Sequence, residues 1–417
     1  MNYSIWIYSN SAKWIKIDIR NKGIQEGLKE ANRLKKPGYC SCKGVQENRP
    51  KLSLRNRSGK IHVAVYPRTG DTHDAECCFY RASPSRSGQK QYSQGVIRED
   101  DEGYLHVLLD TPLQVNASVQ TGGAQTPVSE TVPGGPSVKR NRMTPLGLLH
   151  LLWENAALNT WGRWQRDRDW FDQVWSIRNA AKSIKIGKTA MIDALAILTP
   201  NGGNLDQDNL SAMLDIFRSA KERGRKRLLI LGEVDRLESE KLRVRMKDDG
   251  KYNVWLNATR ADLVSLSQCC EKQDDERLIG FFIARVDGVY PSKSQGRSPC
   301  FQTCIVASAI MKTTMSLIPF ASRYEKRVAE LLVEQNRSFR KPLRYDATDA
   351  VFPDFVLLDT PGREYPMEVY GMSHESYQKR REEKERYYWQ EFGMNHWVWT
   401  AVGESAQPDP PPFPPAR

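Results

Sequence analysis

Two acidic residues lie inside apolar segments near the end of the chain, and they constrain its fold more than any other feature. Asp354 lies in the run VFPDFVLL and Glu368 lies in YPMEVYG, with the turn-forming sequence TPGR at 360–363 between them. Short apolar runs that flank such a turn are typical of a β-hairpin. Because an ionised carboxylate in an apolar strand is costly unless it is paired or bound to a metal ion, we expect a charged partner or a metal ion beside this hairpin.

The segments around the hairpin predict a mixed α/β layer. Ser322 precedes Glu325 by three residues and an apolar periodicity follows, which predicts a helix over 322–335 that opens with a capping box. Residues 373–390 are highly charged and helix-forming, and the following NHWVWTAV has the composition of a strand. The predicted order is therefore helix, two strands, helix, strand.

The two carboxylates predict a specific chemistry. If Asp354 lies across the hairpin from a residue near Glu368, both carboxylates can bind one magnesium or manganese ion, because these hard cations prefer oxygen ligands. Such an ion lowers the pKa of a bound water molecule and neutralises charge that develops on phosphate oxygens. The constellation therefore predicts hydrolysis of a phosphodiester.

These features resemble the PD-(D/E)XK nuclease-like superfamily. The resemblance rests on the dipeptide Pro353 and Asp354, on Glu368 fourteen residues later, and on the order of helices and strands over 319–403. It implies a restriction-endonuclease-like fold and a metal-dependent DNA endonuclease or nicking enzyme with these two carboxylates as metal ligands. The strings RYEKRVAELL, FRKPLRYD, FPDFVLLD and MEVYGM also resemble an uncharacterised family of bacterial proteins carried on mobile elements, which spans most of the chain.

One departure from the superfamily pattern concerns its lysine. The pattern requires a lysine two residues after Glu368, and this chain has a tyrosine there. The resemblance implies that a lysine from the next helix can replace it, and both Lys379 and Lys384 are available. Lys384 is preferred because it shares one helical face with Tyr377 and Tyr388. The alternative is that the basic residues of this helix form an ordinary solvated face.

Glu325 has two interpretations of equal weight. The superfamily resemblance implies that a glutamate of the first helix can line the metal site as a third carboxylate. A capping role explains the same residue without any function. The sequence leaves this choice open.

A second metal site is predicted near the start of the chain. Cys40 and Cys42 form a CxC pair, and His73 and Cys77 stand four residues apart. Cysteine and histidine are the ligands of structural zinc, and a closed set of three cysteines and one histidine leaves no position for a reactive water. Cys78 competes with Cys77 for the fourth position, and Cys77 is preferred.

The whole chain is predicted to be an α+β multidomain protein, because 417 residues exceed what one core usually supports. Runs of strand-like and helix-like sequence alternate with segments rich in Gly, Pro and Ser. The predicted units are a β-rich zinc-binding domain at 1–110, a flexible linker at 111–143, a helical region at 144–225, a β-rich region at 226–318, the nuclease-like domain at 319–403 and a disordered Pro-rich tail at 404–417.

Charge and hydropathy indicate the partners and the compartment. A formal net charge of +12 favours a polyanion, and nucleic acid is the leading candidate, DNA before RNA. The charged N-terminal segment excludes a secretory signal, and Lys312 interrupts the apolar run at 305–321, so we expect a cytoplasmic protein. The alternatives to an enzyme are a non-catalytic nucleic-acid-binding protein that kept the nuclease fold, and a scaffold with protein partners in a larger bacterial assembly.

Overall fold

The fold was analysed in a computed structural model. It describes residues 4–417 except 10, 12, 45–47, 58, 75–76, 82–86, 88, 90–91, 94, 115–140, 163–164, 166–167, 169, 200–214, 221–226, 242, 247–254, 270–274, 291–299, 344, 346–351, 362–364, 373–374 and 404. No helix in this described part combines the length and the apolar character that a bilayer span requires. The described chain is a mixed α+β protein with several sheets, as predicted.

The N-terminal part is an antiparallel sheet with a helix against it. The strands have the order β2-β1-β3-β4-β5 and are β1 (Ser4–Tyr8), β2 (Trp14–Asp18), β3 (Gly38–Cys40), β4 (Lys51–Arg57) and β5 (Lys60–Val65). Helix α1 (Gln25–Arg33) buries Leu28 and Ala31 in the same core cluster as Ile5 and Ile7. This part is β-rich, as predicted, but its strand-like pattern did not predict α1.

Two helices and a small sheet follow. Helix α2 (Pro145–Asn155) begins after Thr144, whose hydroxyl accepts a hydrogen bond from the Gly147 amide, and α3 is Trp170–Lys182. The small sheet has the order β10-β9-β7-β6 and comprises β6 (Ile97–Glu99), β7 (Leu105–Val107), β9 (Ile184–Ile186) and β10 (Thr189–Ala190). The dipeptide Thr160–Trp161 is strand β8.

Within the predicted helical region at 144–225, residues 184–197 form short strands, whereas 215–220 are helical and 200–214 and 221–225 lie outside the described residues. Strands β9 and β10 form there together with β11 (Leu195–Ile197). Strand β9 pairs in parallel with β7, which is distant in the sequence. The apolar run at β9 is too short for its periodicity to distinguish a helix from a strand, so pairing with β7 decides its structure. Of the predicted linker, 115–140 lie outside the described residues, and its flanks meet in a parallel bridge between Leu109 and Met143.

Five strands of the predicted region at 226–318 close into a barrel. They are β12 (Arg227–Glu238), β13 (Arg243–Met246), β14 (Trp255–Asn257), β15 (Glu276–Tyr290) and β16 (Cys300–Thr314). Each pairs with its neighbour in the order β12-β13-β14-β16-β15, and β15 pairs back with β12. The β14 and β16 pairing is parallel and the other four pairings are antiparallel.

The barrel has an apolar interior and one apolar outer wall. Helix α4 (Arg260–Cys269) connects β14 to β15 and contributes Leu263 and Leu266 to the cluster of interior side chains. On the outer wall, Leu229 and Phe281 belong instead to the core cluster that contains the helices α2 and α3. The barrel therefore packs against the helical region on one side.

The C-terminal sheet carries the predicted hairpin. Its order is β20-β19-β18-β17-β8, with β17 (Phe339–Arg340), β18 (Phe355–Leu357), β19 (Tyr365–Tyr370) and β20 (Trp397–Thr400). Strands β18 and β19 are antiparallel, which confirms the hairpin. Helix α5 (Arg323–Glu334) precedes the strands, and helix α6 (Glu375–Phe392) crosses from β19 to its parallel neighbour β20. The edge strand β8 comes from the helical region, so this sheet extends beyond the predicted boundaries 319–403.

The Pro-rich tail, which was predicted to be disordered over 404–417, contacts this sheet through residues 411–414. The indole of Trp397 donates to the carbonyl oxygens of Pro411 and Pro412 at 3.3 Å, and its ring lies 5.4 Å from that of Phe413. Arg337 donates to the carbonyl of Pro414 at 2.7 Å. Proline excludes a helix or an inner strand, but its carbonyl oxygens remain free to accept from buried side chains.

A buried ion pair fixes the sheet beneath the tail and provides a stability test. Asp359 accepts from Nε and Nη2 of Arg337 at 2.9 and 2.8 Å, and from the Ser338 amide at 2.8 Å. Asp359→Ala leaves a buried guanidinium without its partner, so we expect the free energy of unfolding to fall by about 3–5 kcal/mol in urea titrations. The exposed Asp409→Ala is the control. Equal midpoints for both variants would contradict the prediction.

Candidate metal centres

Four cysteine and histidine side chains meet in the N-terminal part. Cys40 ends β3, Cys42 follows it, and His73 and Cys77 come from the segment after β5. Their ligand atoms all lie within 4.8 Å of one another. The Sγ atoms of Cys40 and Cys77 are 3.4 Å apart, and Nδ1 of His73 lies 3.6 Å from Sγ of Cys42 and 3.7 Å from Sγ of Cys77. The set could hold a structural metal ion.

These spacings fit zinc. With zinc–sulfur bonds of about 2.3 Å, tetrahedral coordination separates two sulfur ligands by about 3.8 Å and a sulfur from a nitrogen by about 3.5 Å. Backbone amides support the thiolates, because Asp74 donates to Sγ of Cys42 at 3.5 Å and Phe79 donates to Sγ of Cys77 at 3.4 Å. Hydrogen bonds from Cys40 and then Cys77 hold the pKa of Cys42 well below its usual range. With four protein ligands, such a centre has no open position for catalysis.

Cys77 rather than Cys78 completes the group, which is the preferred choice of the sequence analysis. The segment that follows connects this centre to the rest of the protein. Arg81 donates to Oδ1 of Asn155 in α2 at 2.7 Å, and Tyr80 accepts from Arg340 in β17 at 2.9 Å. A metal ion at this centre would therefore fix a junction between three parts of the fold.

Asp354 and Glu368 lie opposite each other on the β18–β19 hairpin. The register pairs Phe355 with Met367, and Asp354 and Glu368 adjoin this pair, Asp354 just before β18 and Glu368 within β19. Both residues are buried, with 3% and 2% of their surface exposed. Oδ2 of Asp354 accepts from the Val369 amide at 2.9 Å, which fixes the carboxylate across the hairpin.

Helix α6 brings two further side chains to Glu368. Nζ of Lys384 lies 3.1 Å from Oε1 and 3.0 Å from Oε2 of this carboxylate, and it also donates to the Phe352 carbonyl at 3.4 Å. The hydroxyl of Tyr388, one turn later, donates to Oε1 at 2.5 Å. Burial and then the charge of Asp354 raise the pKa of Glu368 to about 8, and Lys384 and Tyr388 oppose that rise. Burial, followed by the charge of Glu368, also raises the pKa of Tyr388.

A second lysine lies on the other side of Asp354. Nζ of Lys341, just after β17, is 2.8 Å from Oε2 of Glu325 and 4.0 Å from Oδ1 of Asp354. Glu325 also receives the Ala321 amide on Oε2 at 3.0 Å, while its own amide donates to Ser322 Oγ at 3.2 Å. Glu325 therefore caps α5 and is also paired with Lys341 beside Asp354, while its place in a metal site stays a prediction.

The predicted residues thus meet, and two more join them. The structure brings Lys384 to Glu368, whereas the side chain of Lys379 lies outside the described residues. Lys341 and Tyr388 had no predicted role. Tyr388 could have been found, because it shares the helical face of Lys384 one turn away. Lys341 had no local signal, since its place beside Asp354 depends on how β17 and β18 pair.

The cluster carries a surplus of negative charge when it is ionised. Glu325, Asp354 and Glu368 contribute three carboxylates, against the two ammonium groups of Lys341 and Lys384. A divalent cation would relieve the repulsion between the two hairpin carboxylates. Oε1 of Glu368 accepts from Lys384 and Tyr388, and Oε2 accepts from Lys384. Because each carboxylate oxygen has two acceptor positions, such an ion would bind at Oε2 beside Lys384 or displace it there.

The Cys/His centre should be occupied by zinc in the purified protein. Purified protein should contain about one equivalent of zinc, and Cys40→Ala should lose most of it because three ligands hold the ion far less tightly than four. The matched control is Cys78→Ala, which changes an adjacent thiol outside the group. Elemental analysis checks both, and equal zinc contents in the two variants would rule out the assigned ligand set.

The raised pKa of Glu368 makes the free energy of unfolding depend on pH. The carboxyl group ionises near 4.5 in the unfolded chain and near 8 in the folded protein, so the folded state retains a proton that the unfolded state releases. Its contribution to stability is complete below about pH 4.5 and is lost as the pH rises towards about 8. Urea unfolding of magnesium-free protein should show this decline, of a few kcal/mol, and Glu368→Gln should remove it. The exposed Glu391→Gln serves as control, and a Glu368→Gln profile that parallels this control contradicts the prediction.

Comparisons with known proteins identify the family but no activity. Neither the curated proteins nor the solved structures give a match to the chain. One family matches residues 13–246 and 301–402, which together make up most of the chain and include both candidate centres. The protein therefore belongs to the family described as "Protein of unknown function (DUF1173)".

Proposed function

We propose that the protein is a metal-dependent DNA endonuclease or nicking enzyme with a site of the PD-(D/E)XK type in its C-terminal sheet. The contact between Lys384 and Glu368 carries this proposal. The superfamily pattern has a lysine two residues after this glutamate, and here a lysine from the following helix reaches the same carboxylate. The order α5, β17, β18, β19, α6, β20 also agrees with the resemblance.

The chain's own residues fit a magnesium or manganese ion. Asp354 and Glu368 would hold it, since they are oxygen ligands on one face of the hairpin and their mutual repulsion favours a cation between them. When bound, the ion would supply Lewis-acid activation of the phosphate and of the attacking water.

The other members of the cluster have distinct tasks in this proposal. Lys384 has 18% of its side chain exposed, against 2% for Glu368, so it is the group that an incoming phosphate meets first. An ammonium group there can neutralise the charge that develops on a phosphate oxygen. Tyr388 holds Glu368 through Oε1, and Lys341 holds Glu325 beside Asp354, so both act as positioning residues.

The alternative is a non-catalytic nucleic-acid-binding protein that retains the nuclease fold. One observation favours it: Glu368 already has hydrogen bonds on both oxygens, and Asp354 accepts from the Val369 amide. A cluster that satisfies itself in this way can be maintained for stability alone. Cleavage assays decide between the two functions.

The test uses supercoiled plasmid and single strands with Mg²⁺ or Mn²⁺. Asp354→Ala and Glu368→Ala should each abolish nicking, because each removes a metal ligand. Lys384→Ala should lower the cleavage rate about a hundredfold at saturating DNA, with little change in affinity, because it removes an electrostatic stabiliser of the transition state.

Two controls accompany Lys384→Ala. Arg386→Ala removes an exposed charge from the same helix, so it should change only the salt-dependent affinity and not the rate. Lys379→Ala examines the other candidate lysine. If Lys379→Ala loses activity and Lys384→Ala retains it, the assignment of the lysine is wrong but the nuclease stands. If the wild-type protein cuts none of the substrates, the proposal is overturned in favour of the binding protein.

A further inference from the structure

A row of basic and aromatic side chains crosses the outside of the barrel on three neighbouring strands. Burial alternates along β13, where Val244 faces the interior, so Arg243 and Arg245 face outward. Trp255 on β14 lies directly across from Arg245, and Arg236 on β12 lies across from Arg245 on the other side. The register of the barrel therefore places these side chains side by side.

The arginines surround the indole at short range. The guanidinium carbons of Arg243, Arg245 and Arg236 lie 3.8, 5.5 and 5.9 Å from the centre of the Trp255 ring. All three distances fall within the range of a cation–π interaction. The three arginine side chains also remain 26%, 29% and 54% exposed. Arg243 thus lies over the indole at stacking distance, and the stacked guanidinium and ring are accompanied by cations that solvent can reach.

The row carries excess positive charge. Two carboxylates are shared by four cations at 2.9–3.8 Å in the ion pairs Arg236–Asp235, Arg245–Asp235, Arg236–Glu238, Lys241–Glu238 and Arg243–Glu238. Exposed ion pairs of this kind are weak, so a phosphate can compete with these carboxylates for the arginine donors.

We propose that this surface, the Trp255 face, binds single-stranded nucleic acid. Unpaired bases offer free π-faces to an indole or a guanidinium plane, while the phosphates between them need cations. A duplex conceals those π-faces. The barrel supports this proposal, because its strand order, with parallel third and fifth strands and a helix before the fourth, is the topology of the OB-fold. OB-folds bind oligonucleotides across their second and third strands, which here are β13 and β14.

The binding test uses the full-length protein and a fluorescently labelled oligothymidylate in magnesium-free buffer, with anisotropy as the signal. Trp255→Ala should weaken binding about 5- to 150-fold, the range expected when one base no longer stacks. Trp255→Phe keeps a stacking ring and should bind within about threefold of the wild type. Arg243→Ala and Arg245→Ala should each weaken binding and reduce the salt slope by about 0.7 for each phosphate that is no longer neutralised.

The matched control is Arg285→Ala. This arginine is 60% exposed and paired with Asp287 at 2.7 Å, but it lies on β15, which pairs with neither β13 nor β14. Its removal should change affinity less than about twofold. Binding is measured without the magnesium ion that the proposed cleavage needs and with variants outside the C-terminal sheet, so failure of the nuclease proposal cannot be mistaken for failure of this one.

Three results would overturn the proposal. The first is a wild-type protein that does not bind the oligonucleotide, and the second is tighter binding of a duplex of the same length. The third is a decrease in affinity in Trp255→Ala, Arg243→Ala and Arg245→Ala no larger than that in Arg285→Ala. Thermal unfolding midpoints equal to that of the wild type show that the variants are folded. If Trp255→Ala does not fold, the affinities of Arg243→Ala and Arg245→Ala are compared with that of Trp255→Phe.

Discussion

The burial of ionisable groups in the C-terminal sheet is the constraint on which the rest of this structure depends. A carboxylate away from water is tolerated only when cations and hydrogen-bond donors surround it. Here Asp354 and Glu368 come from one hairpin, but Lys341 follows another strand, Glu325 begins α5 and Lys384 lies on α6. The ion pairs with the hairpin carboxylates therefore fix helices α5 and α6 and strands β17, β18 and β19 relative to one another.

Local chemistry decided which parts of this arrangement could be predicted. The capping box at Ser322 and the hairpin depend on neighbouring residues, and the sequence predicted both. The position of Lys384 could be predicted because helical spacing limits which side chains of α6 can face β19. The position of Lys341 could not be predicted, because it depends on how β17 pairs with β18. The barrel could not be predicted either, because it closes through the pairing of β15 with β12. The tail was predicted to be disordered because its proline-rich composition excludes helix and inner strand. Composition does not show whether backbone carbonyls such as that of Pro414 accept hydrogen bonds from other parts of the protein.

The two candidate metal centres are joined by one short connection. Tyr80 follows the Cys/His group by three residues, and its hydroxyl accepts a hydrogen bond from Arg340, the neighbour of Lys341. The Arg340 guanidinium also lies 5.3 Å from the Tyr80 ring. A metal ion that orders the cysteine segment would therefore support the end of β17 and, through it, the lysine beside Asp354. A metal ion at the N-terminal centre would thus have a structural consequence for the C-terminal one, although four protein ligands would leave it no open coordination position.

Electrostatics gives a reason for a barrel surface separate from the carboxylate cluster. Without a bound cation the cluster has no excess of positive charge, because two carboxylates balance its two ammonium groups below the pKa of Glu368 near 8 and a third carboxylate exceeds them above it. It therefore does not attract the phosphate backbone that the proposed reaction requires. Attraction for nucleic acid has to come from elsewhere on a chain whose formal net charge is +12. The Trp255 face supplies cations and a stacking surface on strands that do not belong to the C-terminal sheet. Affinity for nucleic acid and hydrolysis of its phosphodiester would then depend on different residues. A substitution could change the affinity without changing the rate of hydrolysis, or the reverse.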